Sequence, residues 1–160
     1  MQLPKNHSQW PYPAMPIEEN PVIAATPDFG HEALRAPRPR RVLLVDDDVE
    51  VRGLLEVVLG GDDRFDVVGQ AADGAEALEL AESRRPDVVV IDLLMPRMDG
   101  FAVLPRLRRA LPESRIVVVS AFPDPYTLLD AVRLGADGYI DKSRVWCELV
   151  PTLVGLCAVA

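Results

Sequence analysis

Three four-residue apolar runs constrain this chain more than anything else in it: Val42-Leu43-Leu44-Val45, Val88-Val89-Val90-Ile91 and Ile116-Val117-Val118-Val119. Each is aliphatic, largely β-branched, and lacks the polar alternation of a strand with one wet face. Runs of this kind are buried on both faces, as in parallel sheets covered by helices on either side. Each also ends on a polar group: the first on Asp46-Asp47-Asp48, the second on Asp92, the third on Ser120. Parallel strands bring such groups to one edge of the sheet, and the intervening segments are long enough for helical crossovers. In open α/β sheets that edge is where ligands bind. Clustered carboxylates repel one another and resist desolvation, so they are tolerated where the edge opens to solvent and takes a cation.

The rest of the chain alternates in the same sense. The spacing predicts a strand at 42–46, then a helix at about 49–59 with Val51, Leu54, Leu55, Val58 and Leu59 on one face, ended by Gly60-Gly61. A strand at 65–70 follows. Asp73-Gly-Ala-Glu76 has capping-box spacing and opens a helix to about Arg84, which Pro86 stops. After a strand at 87–92, a loop holds Met95-Pro96 and Asp99-Gly100, and a helix covers about 100–110. A strand at 115–120 precedes a helix capped by Asp124 with Pro125 at its first position and Gly135 at its end. A short strand at 138–141 and a helix at about 145–157 close the series. The expected fold is α/β: a three-layer, doubly wound (βα)5 sandwich with a five-stranded parallel sheet.

Residues 1–40 read differently. They hold eight of the fifteen prolines, and no helical or strand period survives that spacing. The expected organisation is a Pro-rich, extended or disordered tail over 1–40 and one folded domain over 41–160. Trp10-Pro11-Tyr12-Pro13 is either a docking element or part of a mobile tail. Arg35, Arg38, Arg40 and Arg41 form a basic run too short to claim nucleic-acid binding. The tail carries four basic and four acidic residues, so the net charge of −8 falls entirely in 41–160. An acidic domain argues against direct DNA contact, because phosphate contacts supply most of that affinity. Cys147 and Cys157 lack metal-ligand spacing and are expected to be inert thiols. No signal peptide is visible. The uncharged stretch Leu149–Ala160, interrupted by Pro151, is far short of the roughly 20 residues that span a bilayer and is expected to pack on the sheet. A cytoplasmic location follows as the expectation.

The lysine count adds a further signal. The chain has fifteen arginines and two lysines, Lys5 in the tail and Lys142 directly after a predicted strand. A lysine is a compact point charge on a flexible stem, suited to reach a phosphate or carboxylate. Acids, a hydroxyl and an ammonium at successive strand ends suit one chemistry. A divalent cation takes one or two carboxylates while a phosphate completes its shell. A carboxylate can then act as nucleophile and form an aspartyl phosphate, its charge shared by metal, hydroxyl and ammonium.

Four blocks carry a resemblance to a known family. They are Val-Leu-Leu-Val-Asp46-Asp47-Asp48; Val-Val-Val-Ile-Asp92-Leu-Leu94-Met95-Pro96-Arg-Met-Asp99-Gly100; Val-Val-Val-Ser120-Ala121; and Gly135-Ala-Asp-Gly138-Tyr139-Ile-Asp-Lys142. In order and spacing this resembles the receiver domain of two-component response regulators, over about 41–157. The resemblance implies a flavodoxin-like receiver fold. It implies that Asp92 accepts a phosphoryl group from a sensor histidine kinase or phosphotransfer protein, with Mg²⁺ (or Mn²⁺) bound. Asp47 is then a direct metal ligand, Asp46 acts largely through water, Asp92 contributes to the site, and the Leu94 backbone carbonyl completes the protein ligands. Lys142 pairs with the phosphoryl group, Ser120 fills the switch hydroxyl position and Tyr139 the switch aromatic position. Asp48 has no role in the motif and is read as the cap of the first helix.

Two departures matter. Ser143 stands where the family usually has proline, which leaves the loop beside Lys142 open. Leu94 and Phe122 occupy positions that tune phosphate lifetime; both are apolar and neither can orient water, so autodephosphorylation is expected to be slow. Beyond that self-chemistry the domain is not expected to be an enzyme. Phosphorylation is expected to remodel the face formed by the fourth helix, fifth strand and fifth helix, where a homodimer or another partner would read it out. A helix-turn-helix module needs about 60 more residues, so a stand-alone receiver or a fragment is expected. The competing reading is a receiver-like interaction module that works without phosphorylation. An aspartyl-phosphate phosphatase would want a second carboxylate where Leu94 sits, and there is no P-loop or dinucleotide glycine fingerprint.

Overall fold

The three apolar runs lie side by side at the centre of one parallel sheet. The computed structural model describes residues 38–95, 100–121 and 124–158; the tail to residue 37, Arg35, Phe122 and the Pro96–Asp99 part of the loop lie outside the described residues. The described elements are β1 (Arg40–Val45), α1 (Val49–Gly60), β2 (Phe65–Ala71), α2 (Gly74–Arg84), β3 (Val88–Ile91), α3 (Gly100–Ala110), β4 (Arg115–Ser120), α4 (Pro125–Arg133), β5 (Gly138–Asp141) and α5 (Val145–Ala158). The strand order is β2-β1-β3-β4-β5, every pairing parallel. This is the doubly wound (βα)5 sandwich expected from the alternation, and the flavodoxin-like fold that the resemblance implied.

Alternate residues of each central strand point to opposite layers. Leu43, Val45, Val89, Ile91, Ile116 and Val118 meet Ala77, Ala81, Val103, Leu104 and Leu107 of α2 and α3. Val42, Leu44, Val88, Val90, Val117 and Val119 meet Leu55, Leu59, Val145, Leu149 and Leu153 of α1 and α5. All of these strand residues are essentially inaccessible, and burying each such side chain is worth roughly 1.5–3 kcal/mol. The apolar end of the chain packs on the sheet through Leu149 and Leu153, as expected, and α5 runs on through Pro151.

Boundaries shift slightly from the sequence reading. β1 begins at Arg40 and ends at Val45, leaving Asp46 just outside, although its N–H still donates to Ala71 O at 3.1 Å. β3 is framed by ladder bonds from Asp87 N–H to Arg41 O and from Asp92 N–H to Val45 O, both 2.8 Å. Asp48, Asp73 and Asp124 cap α1, α2 and α4 with their carboxylates. The capping box of α2 is displaced by one residue, Glu76 accepting from Ala72 N–H at 2.7 Å. Gly61 does not end α1 by a left-handed turn, since its φ is −77°. Gly135 does adopt positive φ, at 110°, and so does Arg85, at 47°, immediately before Pro86. No helix among the described residues is long and apolar enough to cross a membrane.

Candidate functional site

β1 and β3 are adjacent, yet their crossovers run to opposite sides, so a crevice opens at their C-terminal ends. In doubly wound sheets that switch point is the ligand site. Asp46 and Asp47 follow β1 and Asp92 follows β3. Carboxylate oxygens of all three lie within 4.8 Å of one another. Asp46 and Asp92 are buried, at 1% and 3% exposure, while Asp47 is open to solvent. Ser120, fully buried, ends β4, in register with Asp141 at the end of β5. Lys142 comes next and reaches back across the sheet edge. Its ammonium stands 2.7 Å from Asp46 Oδ2 and 2.8 Å from Asp92 Oδ2.

The two buried carboxylates are held alike. Asp46 Oδ1 accepts from Asp48 N–H at 3.0 Å and Asp92 Oδ1 from Leu94 N–H at 3.1 Å. Each Oδ2 faces Lys142, which donates a hydrogen bond to Asp92. Toward Asp46 Oδ2 the ammonium is close but off the hydrogen-bond line, so that buried oxygen has an ion-pair neighbour and no hydrogen bond. Burial raises the Asp46 pKa above the usual carboxylate range; Lys142 and the Asp48 N–H pull it down, and Asp92 adds repulsion. Burial works against the Lys142 ammonium, yet the neighbouring Asp46 and Asp92 carboxylates more than offset this, and its pKa is raised. Buried charge of one sign is thus in excess around a single cation. An orphaned oxygen in a ring of hard oxygen donors fits a divalent cation of the Mg²⁺ or Mn²⁺ type.

Of the residues singled out in the sequence, Asp46, Asp47, Asp92 and Lys142 are brought together, with Ser120 at the neighbouring strand end. Leu94 sits in the loop after Asp92, its side chain 52% exposed at the mouth. Tyr139 lies on β5, partly buried against the core cluster shared by α2 and α3. Asp48 turns away to cap α1 through Glu50 N–H.

Two residues near the site escaped the sequence reading. Arg52 on α1 donates to the Asp46 carbonyl at 2.6 Å and to Gln70 Oε1 at 3.3 Å. An arginine one turn into the helix after the acidic loop was the only available signal. Gly100 was read as loop-shaping, but its demand is steric: a Cβ there would sit 2.5 Å from Leu93 Cα and 2.8 Å from the Asp92 carbonyl.

The comparisons with known proteins agree with this architecture. The model of the response regulator receiver domain matches residues 42–151. The nitrate/nitrite response regulator protein NarL of Escherichia coli K12 is 38% identical over 115 residues, covering 72% of this chain and 53% of NarL. The DNA-binding transcriptional activator DevR/DosR of Mycobacterium tuberculosis is 37% identical over 109 residues, 68% of this chain and 50% of that protein. Among solved structures, the signal receiver domain of NarL from M. tuberculosis superposes with a TM-score of 0.72 at 34% identity, covering 78% of this chain and all of that one. The response regulator domain of Thermotoga maritima CheB gives 0.69 at 30% identity, with 77% and 99% covered. The chain spans about half the length of NarL and DevR/DosR. With the match running from the first residue of the first apolar run into α5, the chain belongs to the receiver-domain family of two-component response regulators.

Proposed function

We propose that this chain receives a phosphoryl group on Asp92 from a histidine kinase or phosphotransfer protein and uses it to switch partner binding. The observation that carries the proposal is the Lys142 ammonium poised between Asp46 and Asp92 at the β1/β3 crevice, with three carboxylate oxygens within 4.8 Å. An Asp92 carboxylate oxygen attacks phosphorus, the bond to the donor imidazole nitrogen breaks, and the imidazole departs. Asp46, Asp47, Asp92 and the Leu94 carbonyl would hold Mg²⁺ or Mn²⁺. The ion, when bound, offsets charge on the phosphoryl oxygens and on the clustered carboxylates. Lys142 exchanges its contact with Asp92 for one with a phosphoryl oxygen. Ser120 supplies a hydroxyl to another, and Tyr139 moves into space that Ser120 releases.

That shift biases the surface of α4, β5 and α5 between two states. Support for a docking role there is apolar exposure: Tyr126, Leu128, Leu129 and Val132 of α4 are open to solvent, as is Trp146 of α5. A second copy of the chain or another protein would read out that face, and the acidic balance weighs against direct nucleic-acid contact by this domain. We assign residues 41–160 to the receiver and 1–40 to a Pro-rich tail. The domain is a phosphoacceptor rather than an enzyme with its own substrate, and its hydrolytic self-reaction is slow because Leu94 presents no water-orienting group. Replacing Leu94 by Asn should shorten the phosphoryl half-life; an unchanged or longer half-life would count against the reading.

The decisive experiment is intact mass after incubation with Mg²⁺ and acetyl phosphate, alongside Asp92→Asn. One phosphoryl group added to the wild type, absent from the variant and absent without metal, is the expected result. A folded, Mg²⁺-binding protein that takes no phosphoryl group from acetyl phosphate or from a histidine kinase would instead support a phosphorylation-independent interaction module.

A further inference from the structure

Lys142 has a reach problem. Neighbouring strands of a sheet are about 4.8 Å apart, and in the order β1-β3-β4-β5 the strand bearing Asp92 lies two away from β5 and that bearing Asp46 three away. The span to Asp92 lies within the combined reach of a lysine, an aspartate and the hydrogen bond between them, about 12 Å, and the span to Asp46 exceeds it, so the path of the backbone at 142–144 decides whether the ammonium meets both. A turn follows β5 directly. Asp141, the last residue of β5, is still extended (φ −69°, ψ 130°), and Lys142–Arg144 form a single 3-10 turn. One oxygen makes that turn: Asp141 Oδ1 accepts from both Ser143 N–H and Ser143 Oγ–H, each at 2.8 Å. A proline after the lysine would offer neither donor. On the far side the turn is fastened to α5 by Arg144 and Glu148, paired at 2.6 Å.

We propose that Asp141 is a positioning residue for Lys142: by folding the 142–144 turn it holds the ammonium between Asp46 and Asp92, replacing with a side-chain cap what a ring would otherwise constrain. Asp141 touches no reacting atom, and its effect passes through Lys142. The inference rests on the proposed phosphotransfer role of Lys142. Its signature is a split between two measurements. Losing the cap frees Lys142 to wander, which slows phosphoryl transfer. The carboxylates stay in place and lose a competing cation, so Mg²⁺ affinity holds or tightens. A general loosening of the site would weaken both.

The test uses the full chain with Asp141 replaced by Ala, Asn and Glu. The rate of phosphorylation by acetyl phosphate is read by intact mass, and Mg²⁺ affinity by calorimetry without phosphodonor. Asp141→Ala should slow phosphorylation at least about tenfold while its Mg²⁺ affinity stays within about twofold of wild type or improves. Asp141→Asn keeps an acceptor oxygen at the same reach and should restore most of the rate; Asp141→Glu, one methylene longer, should not. Wild-type rate in Asp141→Ala overturns the inference, and so does loss of Mg²⁺ affinity in step with rate. Failure of the wild type itself to take a phosphoryl group overturns the proposed function and this inference with it, and so is distinguishable from both.

Discussion

Asp46 and Asp92 follow different strands yet are bound in the same way, Oδ1 by the N–H two residues on and Oδ2 against Lys142. The carboxylates themselves were legible from sequence, because an acid at the end of a doubly buried run has few other uses. What holds them was not legible, because it depends on approach distances. Gly100 is the clearest case: its N–H donates to Leu93 O at 3.0 Å, and the space a Cβ needs is filled by backbone, which cannot swing aside as a side chain can. Gly100→Ala should therefore destabilise the domain by about 1–3 kcal/mol, read as a lower urea midpoint, and should displace the Asp92 loop enough to suppress phosphorylation. A midpoint equal to wild type would show that α3 shifts freely. Arg52 makes a milder case. Without its bond to the Asp46 carbonyl, Arg52→Ala should retain the fold and weaken Mg²⁺ binding several-fold, by about 1 kcal/mol; unaltered affinity would leave the arginine a surface residue.

At the scale of elements, the sequence marked where helices start and stop, but not the backbone conformation at each stop. An Asp before a helix acts within its own turn, so Asp48, Asp73 and Asp124 cap as the sequence suggests. A helix end depends on where the chain must go next. Gly61 was free to turn left-handed and did not, whereas Arg85, with Pro86 buried behind it, did. An L-residue in that conformation costs roughly 1–2 kcal/mol. Arg85→Gly should recover part of this and raise the melting temperature by about 3 °C, since the side chain gives up only a long 3.4 Å bond to Ala110 O. A fall in melting temperature would mean that this bond outweighs the strain. The N-terminal edge of the sheet is tied by Asp87, which accepts from Arg41 N–H at 2.8 Å and from both Arg38 terminal nitrogens. Burial pushes its pKa up, but these bonds prevail and hold it below the ordinary 3.8. A lowered carboxylate adds stability above its unfolded pKa and loses it as pH falls through the folded value. Urea midpoints should accordingly drop below about pH 4 in the wild type and drop less steeply in Asp87→Asn. Parallel curves would place the acid sensitivity elsewhere.

For the molecule as a whole, parallel strands with helical returns point every helix N-terminus toward the site edge and every C-terminus toward the other. Helix dipoles favour anions at the first and cations at the second. The charges follow: Asp48, Asp73 and Asp124 cap at the site end, while Arg108 at the opposite end donates to the carbonyls of Leu111, Pro112, Ser114 and Gly135 and pairs with Asp137 at 2.5 Å. The strand order that creates the crevice was not legible from the three apolar runs, which are alike and carry no mark of which neighbours which. The cost of the crevice is two buried carboxylates and a raised Asp46 pKa, with one lysine between them. A ligand that binds only this folded arrangement must therefore stabilise it. Free Mg²⁺ at about a hundred times its Kd should add about 2.7 kcal/mol and raise the melting temperature by several degrees, and NaCl at matched ionic strength should not reproduce the rise. Asp47→Asn and Asp92→Asn, each removing a donor, should lose most of it. Lys142→Met should gain, because the competing ammonium is gone, even as it loses phosphotransfer. A Mg²⁺ shift that survives unchanged in Asp47→Asn would mean that the ion acts elsewhere on an acidic surface, and the crevice would then be a lysine-bridged carboxylate pair with no metal.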